Sequence, residues 1–109
     1  HDHPDHAGCA EAAAAAFDAP VLGWRAGTLP CGPFNVPGVD LSLEVVPLPG
    51  HSSDSVGIYV AEGDLIVTGD VLFAQSSTMV CWPDGRLADY LESLDKLYRF
   101  AEERGVTRL

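Results

Sequence analysis

Basic residues are scarce in this chain: six Lys and Arg stand against sixteen Asp and Glu over 109 residues, a net charge of −10 with the four histidines neutral. A field of that sign repels phosphate backbones at long range, so broad nucleic-acid binding is disfavoured, although a local basic groove is not excluded. No apolar run reaches the length of a bilayer span and no basic-then-apolar leader opens the chain, so no membrane segment is expected. The first residue is not Met, which leaves open where the natural protein begins. The three cysteines, Cys9, Cys31 and Cys81, form no CxxC pair, which argues against a disulfide framework and against a thiolate zinc knuckle. Read as reduced, small apolar residues, they fit a cytoplasmic protein. Hydrophobic content is ordinary at 47%, which excludes wholesale disorder. The length allows one small domain or part of a larger one.

What the chain has in unusual density is at its start, HDHPDH, three histidines and two aspartates in six residues. An affinity tag is normally an unbroken histidine run, and Asp2 and Asp5 break this one. The rest of the chain decides between a reactive centre and a solvated polar terminus. CAEAAAAAF (Cys9–Phe17) has very high helix propensity and ends at Asp18 and Pro20. PVLGW (Pro20–Trp24) is expected as a short strand, and the Gly- and Pro-dense GTLPCGPFNVPG (Gly27–Gly38) as a loop. Leu41–Leu48, Val56–Ala61 and Asp64–Asp70 read as strands, the last two joined by a tight Glu62-Gly63 hairpin turn.

The clearest helix is Arg86–Arg104, with Leu87, Tyr90, Leu91, Leu94, Leu97, Tyr98 and Ala101 on one face. Asp84 is its expected N-cap, Glu92–Lys96 and Asp95–Arg99 its i,i+4 pairs, and Gly105 its C-terminal stop. Leu87, Leu91, Leu94 and Leu97 are expected to bury against the sheet. Helices and strands around one apolar layer mean an α/β arrangement, with a thin core for a free-standing domain.

The spacing of HDHPDH has chemical content. In an extended segment residues i and i+2 project to the same side, so His1 and His3 can converge on one ion. As the chain turns into the alanine helix, Asp5 and His6 are directed to a neighbouring point. Neutral imidazole and carboxylate suit zinc and other borderline divalent ions. Two later stretches join them. PLPGHSSDSVG presents His51 in a Gly-preceded turn after a strand, and LIVTGD places Asp70 just beyond a strand end, a usual position for ligands. A lone His51 is more often structural, and a lone Asp70 more often a turn residue. Three such stretches at strand termini are hard to explain as three separate turns.

HDHPDH resembles the HxHxDH signature of the metallo-β-lactamase superfamily, and PGHSSDSVG and TGDVLF resemble its second-histidine and aspartate segments. SSTMV and PDGRLADYLESL are similar to the glyoxalase-II-like and lactamase-like protein 2 hydrolases. The resemblance implies an αββα sandwich of which residues 1–109 are the central part, without its first strands and its last histidine segment. It implies that His1, His3 and His51 hold one metal, that Asp5 and His6 hold a second, and that Asp70 bridges both. Zinc is the implied cofactor, two ions per complete domain, with room for iron or manganese. The family's further histidine on the second metal has no counterpart among the four histidines here. His3 stands where the diiron oxygen reductases of this fold carry a carboxylate. Asp70 stands where well-known zinc β-lactamases use cysteine, so antibiotic hydrolysis is not expected.

The implied function is metal-dependent hydrolysis of a small thioester or ester, with Asp5 and Asp70 as the catalytic carboxylates that orient the nucleophile. Alternatives within the resemblance are an endoribonuclease, a mononuclear iron persulfide dioxygenase using His1, His51 and Asp70, and an inactive metal-binding fragment. A small-molecule substrate is the expected partner, a homo-oligomer is admitted, and the apolar faces of Leu41–Leu48 and Leu65–Val67 are expected to need a cover.

Overall fold

The computed structural model describes residues His1–Leu109. Alternating apolar segments in the middle of the chain build a four-stranded antiparallel meander, β1 (Gly32–Phe34), β2 (Leu43–Pro47), β3 (Val56–Val60) and β4 (Leu65–Val67), in that order across the sheet. Two helices precede it, α1 (Pro4–Ala7) and α2 (Ala10–Phe17), and α3 (Leu87–Arg104) follows. Pro4 opens α1 at a position where its missing N–H costs nothing. Asp18, left-handed at φ 49°, ends α2.

Period-two alternation sorts the strands into two faces. Val46, Leu48, Tyr59 and Ile66 point to one side and pack with Val71 and Leu97 as the buried core, covered by α3. The Tyr59 and Phe100 rings meet edge to face at 5.4 Å. The register Val45↔Ile58↔Val67 and Leu43↔Val60↔Leu65 puts two apolar rows on the opposite face. Val45 is covered there, whereas Val67 is 53% exposed. The accessible surface is 7128 Å², against roughly 5,800 Å² for a compact monomer of this mass.

Several local expectations are corrected. Residues 20–24 form no strand: Val21 and Leu22 are exposed, and Gly23 instead closes a turn, its carbonyl accepting from Thr28 N and Leu29 N at 3.1 Å. The expected loop contains β1, an edge strand, where Pro33 is tolerated. The Glu62-Gly63 hairpin turn is a 3₁₀ turn (Ala61–Gly63) completed by left-handed Asp64, whose carbonyl accepts from Thr107 N and Arg108 N.

The buried face of α3 is rotated from the expected one. Ser93 and Leu97 are buried with Tyr90, Leu94 and Phe100 beside them, whereas Leu87, Leu91 and Tyr98 are 63%, 57% and 63% exposed. Polar side-chain contacts fix that rotation, and a hydrophobic pattern does not register them. Ser93 Oγ donates to Pro49 O at 2.6 Å and Lys96 Nζ to Pro47 O at 2.8 Å, so Lys96 does not pair with Glu92. Asp95 and Arg99 do pair, at 2.8 Å. Arg86, not Asp84, is the N-cap, and no side chain caps the helix. Gly105 ends it at φ 66°.

Candidate metal centre

Each part of the centre is placed by a different local device. His1 to His3 run extended, then His3 O accepts from His6 N and Ala7 N at 2.9 Å, closing α1 and bringing His6 back toward His1. The His1 and His3 rings stand 4.4 Å apart, and those of His1 and His6 4.3 Å apart. His51 follows Gly50, whose φ is 139°. A Cβ there would lie 2.3 Å from the Tyr90 Cα, so the turn and α3 meet backbone to backbone. Arg86 N donates to Gly50 O at 2.9 Å. Asp70 sits in the 3₁₀ turn Gly69–Val71 directly after β4.

The donors of these segments converge. His51 Nε2 lies 3.3 Å from His3 Nδ1, and His6 Nε2 lies 3.2 Å from Asp70 Oδ2. The same Asp70 oxygen is 3.6 Å from His51 Nε2 and 3.8 Å from His1 Nε2. His1, His3 and His51 form one triplet of donors within 4.8 Å of one another, and His1, His6 and Asp70 form a second. Asp5 belongs to neither: its carboxylate is 74% exposed, 3.8 Å from His6 Nε2. His1, expected on one side only, stands in both triplets.

The chemistry of this donor set fits a metal. The His1 side chain is 2% exposed, and its Nε2 is buried with no hydrogen-bond partner. An unpartnered buried nitrogen costs on the order of 1–3 kcal/mol, so its retention among other donors calls for an ion. A tetrahedral shell with zinc–nitrogen distances near 2.0–2.1 Å spaces neighbouring donors about 3.3 Å apart, and the two shortest contacts here are 3.3 and 3.2 Å. His51 is also held from behind, with Nδ1 at 2.8 Å from Met79 O, to which it can donate, and 3.1 Å from Thr78 Oγ1. That arrangement leaves Nε2 as the acceptor facing the cluster.

A cavity of about 440 Å³ opens beside these donors. His3, Asp5, His51, Asp70 and Asp84 line one side, and Met79, Cys81, Trp82 and Pro83 the other. The wall is held close to the centre, because a Cβ on Gly85 would lie 2.8 Å from His51 O and 2.7 Å from Cys81 N. Sequence reasoning missed this wall, Arg25, and the places of Asp2 and Asp84 around it, whereas Asp54, with Ser52 and Ser53, is expected from its place beside His51 to hold that turn. Asp54 and Asp84 are both held below the usual carboxylate range. For Asp54, burial opposes the charge, but hydrogen bonds from Arg25, Ser52 and Asp2 outweigh it. For Asp84, the hydrogen bond from Ser53 is the main cause, with Arg25 adding to it. Asp2 lies within HDHPDH and Asp84 in the PDG turn, while no motif marks Arg25.

Four histidines and an aspartate, gathered from the start of α1 and from turns after β2 and β4, form a candidate metal centre on an α/β fold. The chain belongs to the metallo-β-lactamase superfamily, which matches residues 23–104. HDHPDH lies before that range, so its place beside His51 and Asp70 is a finding of the geometry. The chain is 31% identical over 106 residues to a hydroxyacylglutathione hydrolase of Albidiferax ferrireducens, covering 89% of this chain and 41% of that protein. It is 47% identical over 47 residues to the probable metallo-hydrolase YqgX of Bacillus subtilis, 43% of this chain and 19% of that protein. Among solved structures, TTHA1623 in a di-iron-bound form aligns with a TM-score of 0.69 at 29% identity, covering 91% of this chain and 61% of that one. The chain thus spans 41% and 19% of the two curated relatives it matches. Within the superfamily its likeness is to the glyoxalase-II-like group, and its sheet and α3 are one part of the larger sandwich. No helix is long and apolar enough to cross a membrane.

Proposed function

We propose that this chain carries the metal centre of a hydrolase acting on a small thioester or ester. The carrying observation is the buried, unpartnered His1 Nε2 shared by two triplets of donors. His1, His3 and His51 would hold one ion. His6 and Asp70 would hold the second with His1 close by, and Asp70 Oδ2 faces both groups. Asp5 is the outer carboxylate of the second site. Bound there, two divalent cations supply Lewis acidity to a carbonyl and lower the pKa of water toward about 7.

The chain's own residues do the rest. His51, fixed at Nδ1 by Met79 O, presents Nε2 in one orientation only. With Asp70 Oδ2 turned to the histidines, its other carboxylate oxygen would be left to orient a water. The exposed Asp5 carboxylate, 3.8 Å from His6 Nε2, takes up the proton that water gives off. Met79 and Trp82, 70% and 76% exposed, offer an apolar wall against which an acyl group can lie with its carbonyl toward the histidines. The hydroxyacylglutathione hydrolase relative supports a thioester substrate. Neither Lys nor Arg lines the cavity, which counts against an endoribonuclease. The di-iron-bound relative makes iron the second candidate to zinc.

The test is metal analysis and thioester hydrolysis by the full-length protein. Two zinc ions per chain and turnover lost in His51→Ala are expected. One iron per chain with oxygen consumption on a persulfide would replace the hydrolase with a dioxygenase. Full turnover after complete metal removal would sink the reading.

A further inference from the structure

Arg25 lies outside every motif of the centre, yet it joins three of the loops that build it. Its Nε forms an ion pair with Asp2 Oδ2 at 2.9 Å, and its Nη2 donates to Asp54 Oδ1 at 3.0 Å and to Asp84 Oδ2 at 3.1 Å. Asp2 sits between His1 and His3, Asp54 three residues after His51, and Asp84 in the turn that walls the cavity. The three carboxylates are further cross-linked. Asp54 Oδ2 accepts from Asp2 N at 2.9 Å, and Asp84 Oδ1 accepts from Ser53 N and Oγ at 3.2 and 2.5 Å. Asp84 Oδ2 then stands 3.7 Å from His3 Nε2, behind the ring whose Nδ1 faces His51.

We propose that Arg25 is a positioning residue for the metal centre: its guanidinium sets the HDHPDH loop in register with the His51 turn and places Asp84 behind His3. The inference rests on the metal-centre reading above. A guanidinium reaches the three carboxylates from two separate nitrogens of one rigid plane, whereas lysine offers its three donors from a single nitrogen on a flexible stem and fixes their relative positions less well. Outer partners that orient ligating histidines are worth about 10–100-fold in metal affinity.

Charge and positioning predict opposite signs here. Deleting the Arg25 charge leaves Asp2, Asp54 and Asp84 uncompensated, which by Coulomb attraction alone tightens cation binding. Positioning predicts that it weakens.

The experiment is a zinc titration of the full-length protein against a chromophoric chelator, comparing wild type, Arg25→Lys, Arg25→Met and His51→Ala. Melting temperatures of the metal-free forms are measured alongside. Arg25→Lys keeps the charge and loses the fork, so it stays informative if Arg25→Met does not fold. The expected result is zinc affinity about tenfold or more weaker in Arg25→Lys, with the metal-free melting temperature held within about 4 °C. Unchanged or tighter zinc binding in Arg25→Lys overturns the inference. So does a loss of affinity that comes with a collapse of the metal-free melting temperature, because Arg25 would then support the fold as a whole. If wild type binds no zinc, or His51→Ala binds it as wild type does, the metal-centre reading itself fails. If His51→Ala loses binding and Arg25→Lys does not, only the role of Arg25 falls.

Discussion

The Asp54 carboxylate is buried beside a guanidinium, and its ionisation follows from that placement. Burial works against its charge, but Arg25, Ser52 and Asp2 donate to it and bring its pKa below the ordinary 3.8. A carboxyl with a depressed folded-state pKa contributes stability that is present above its unfolded value and is lost as pH falls through the folded one. The destabilisation caused by Asp54→Asn in metal-free protein should therefore be largest above about pH 4 and shrink at lower pH. Melting curves of both proteins from pH 6 to pH 2 measure it, and an undiminished difference at pH 2 would contradict the ion-pair account. At this scale the convergence of His1, His3, His6, His51 and Asp70 was legible, because donor residues at short spacing or just after strands are visible as a pattern. The sequence did not show Arg25 or the true setting of Asp84. Their partners are 23 or more positions away by number, and no local period marks a long-range ion pair. Asp5 lines the cavity but joins neither donor triplet, so its place at the second site rests on that lining and on its 3.8 Å approach to His6 Nε2.

Among the elements, α3 separates what periodicity can and cannot place. Its extent, Leu87–Arg104, its stop at Gly105 and the Asp95–Arg99 pair were legible. Its buried face was not, because two of the contacts that set it are polar (Ser93 to Pro49 O and Lys96 to Pro47 O). The rotation has a measurable consequence. Leu97→Ala should destabilise by about 2–5 kcal/mol, the cost of emptying a core site, whereas Leu91→Ala should stay within about 0.5 kcal/mol of wild type. Equal losses in chemical denaturation would mean that the helix sits in the other rotation. The contact between α3 and the His51 turn is tighter still. Gly50→Ala would force a Cβ to 2.3 Å from Tyr90 Cα, so a loss of about 3 kcal/mol or more is expected, together with weaker metal binding as His51 is displaced. A stable Gly50→Ala protein with unchanged zinc affinity would show that the turn does not depend on that approach.

The whole molecule has one face covered by α3 and a second, partly covered face on which Val45 is buried and Val67 exposed. Leu43, Val45, Ile58, Val60, Leu65 and Val67 lie in two rows on the side away from α3. The superfamily and the αββα plan were legible from three short motifs, while β1 was hidden in a Gly- and Pro-rich stretch that pairs only because β2 offers it an edge. With Val67 exposed among half-buried apolar neighbours, the 109-residue chain should self-associate or bind an apolar dye, and Val67→Asp should reduce both. A monodisperse, dye-silent segment by light scattering and fluorescence would mean that the face is adequately closed already. The claim on which function depends is more local: two adjoining donor triplets share the buried His1 nitrogen. Anomalous scattering from crystals of the zinc-loaded full-length protein tests it directly. Zinc peaks are expected about 2.0–2.1 Å from nitrogens of His1, His3 and His51, with a second peak against His6 and Asp70. Zinc bound only elsewhere, or no peak in this cluster at saturating zinc, would contradict it.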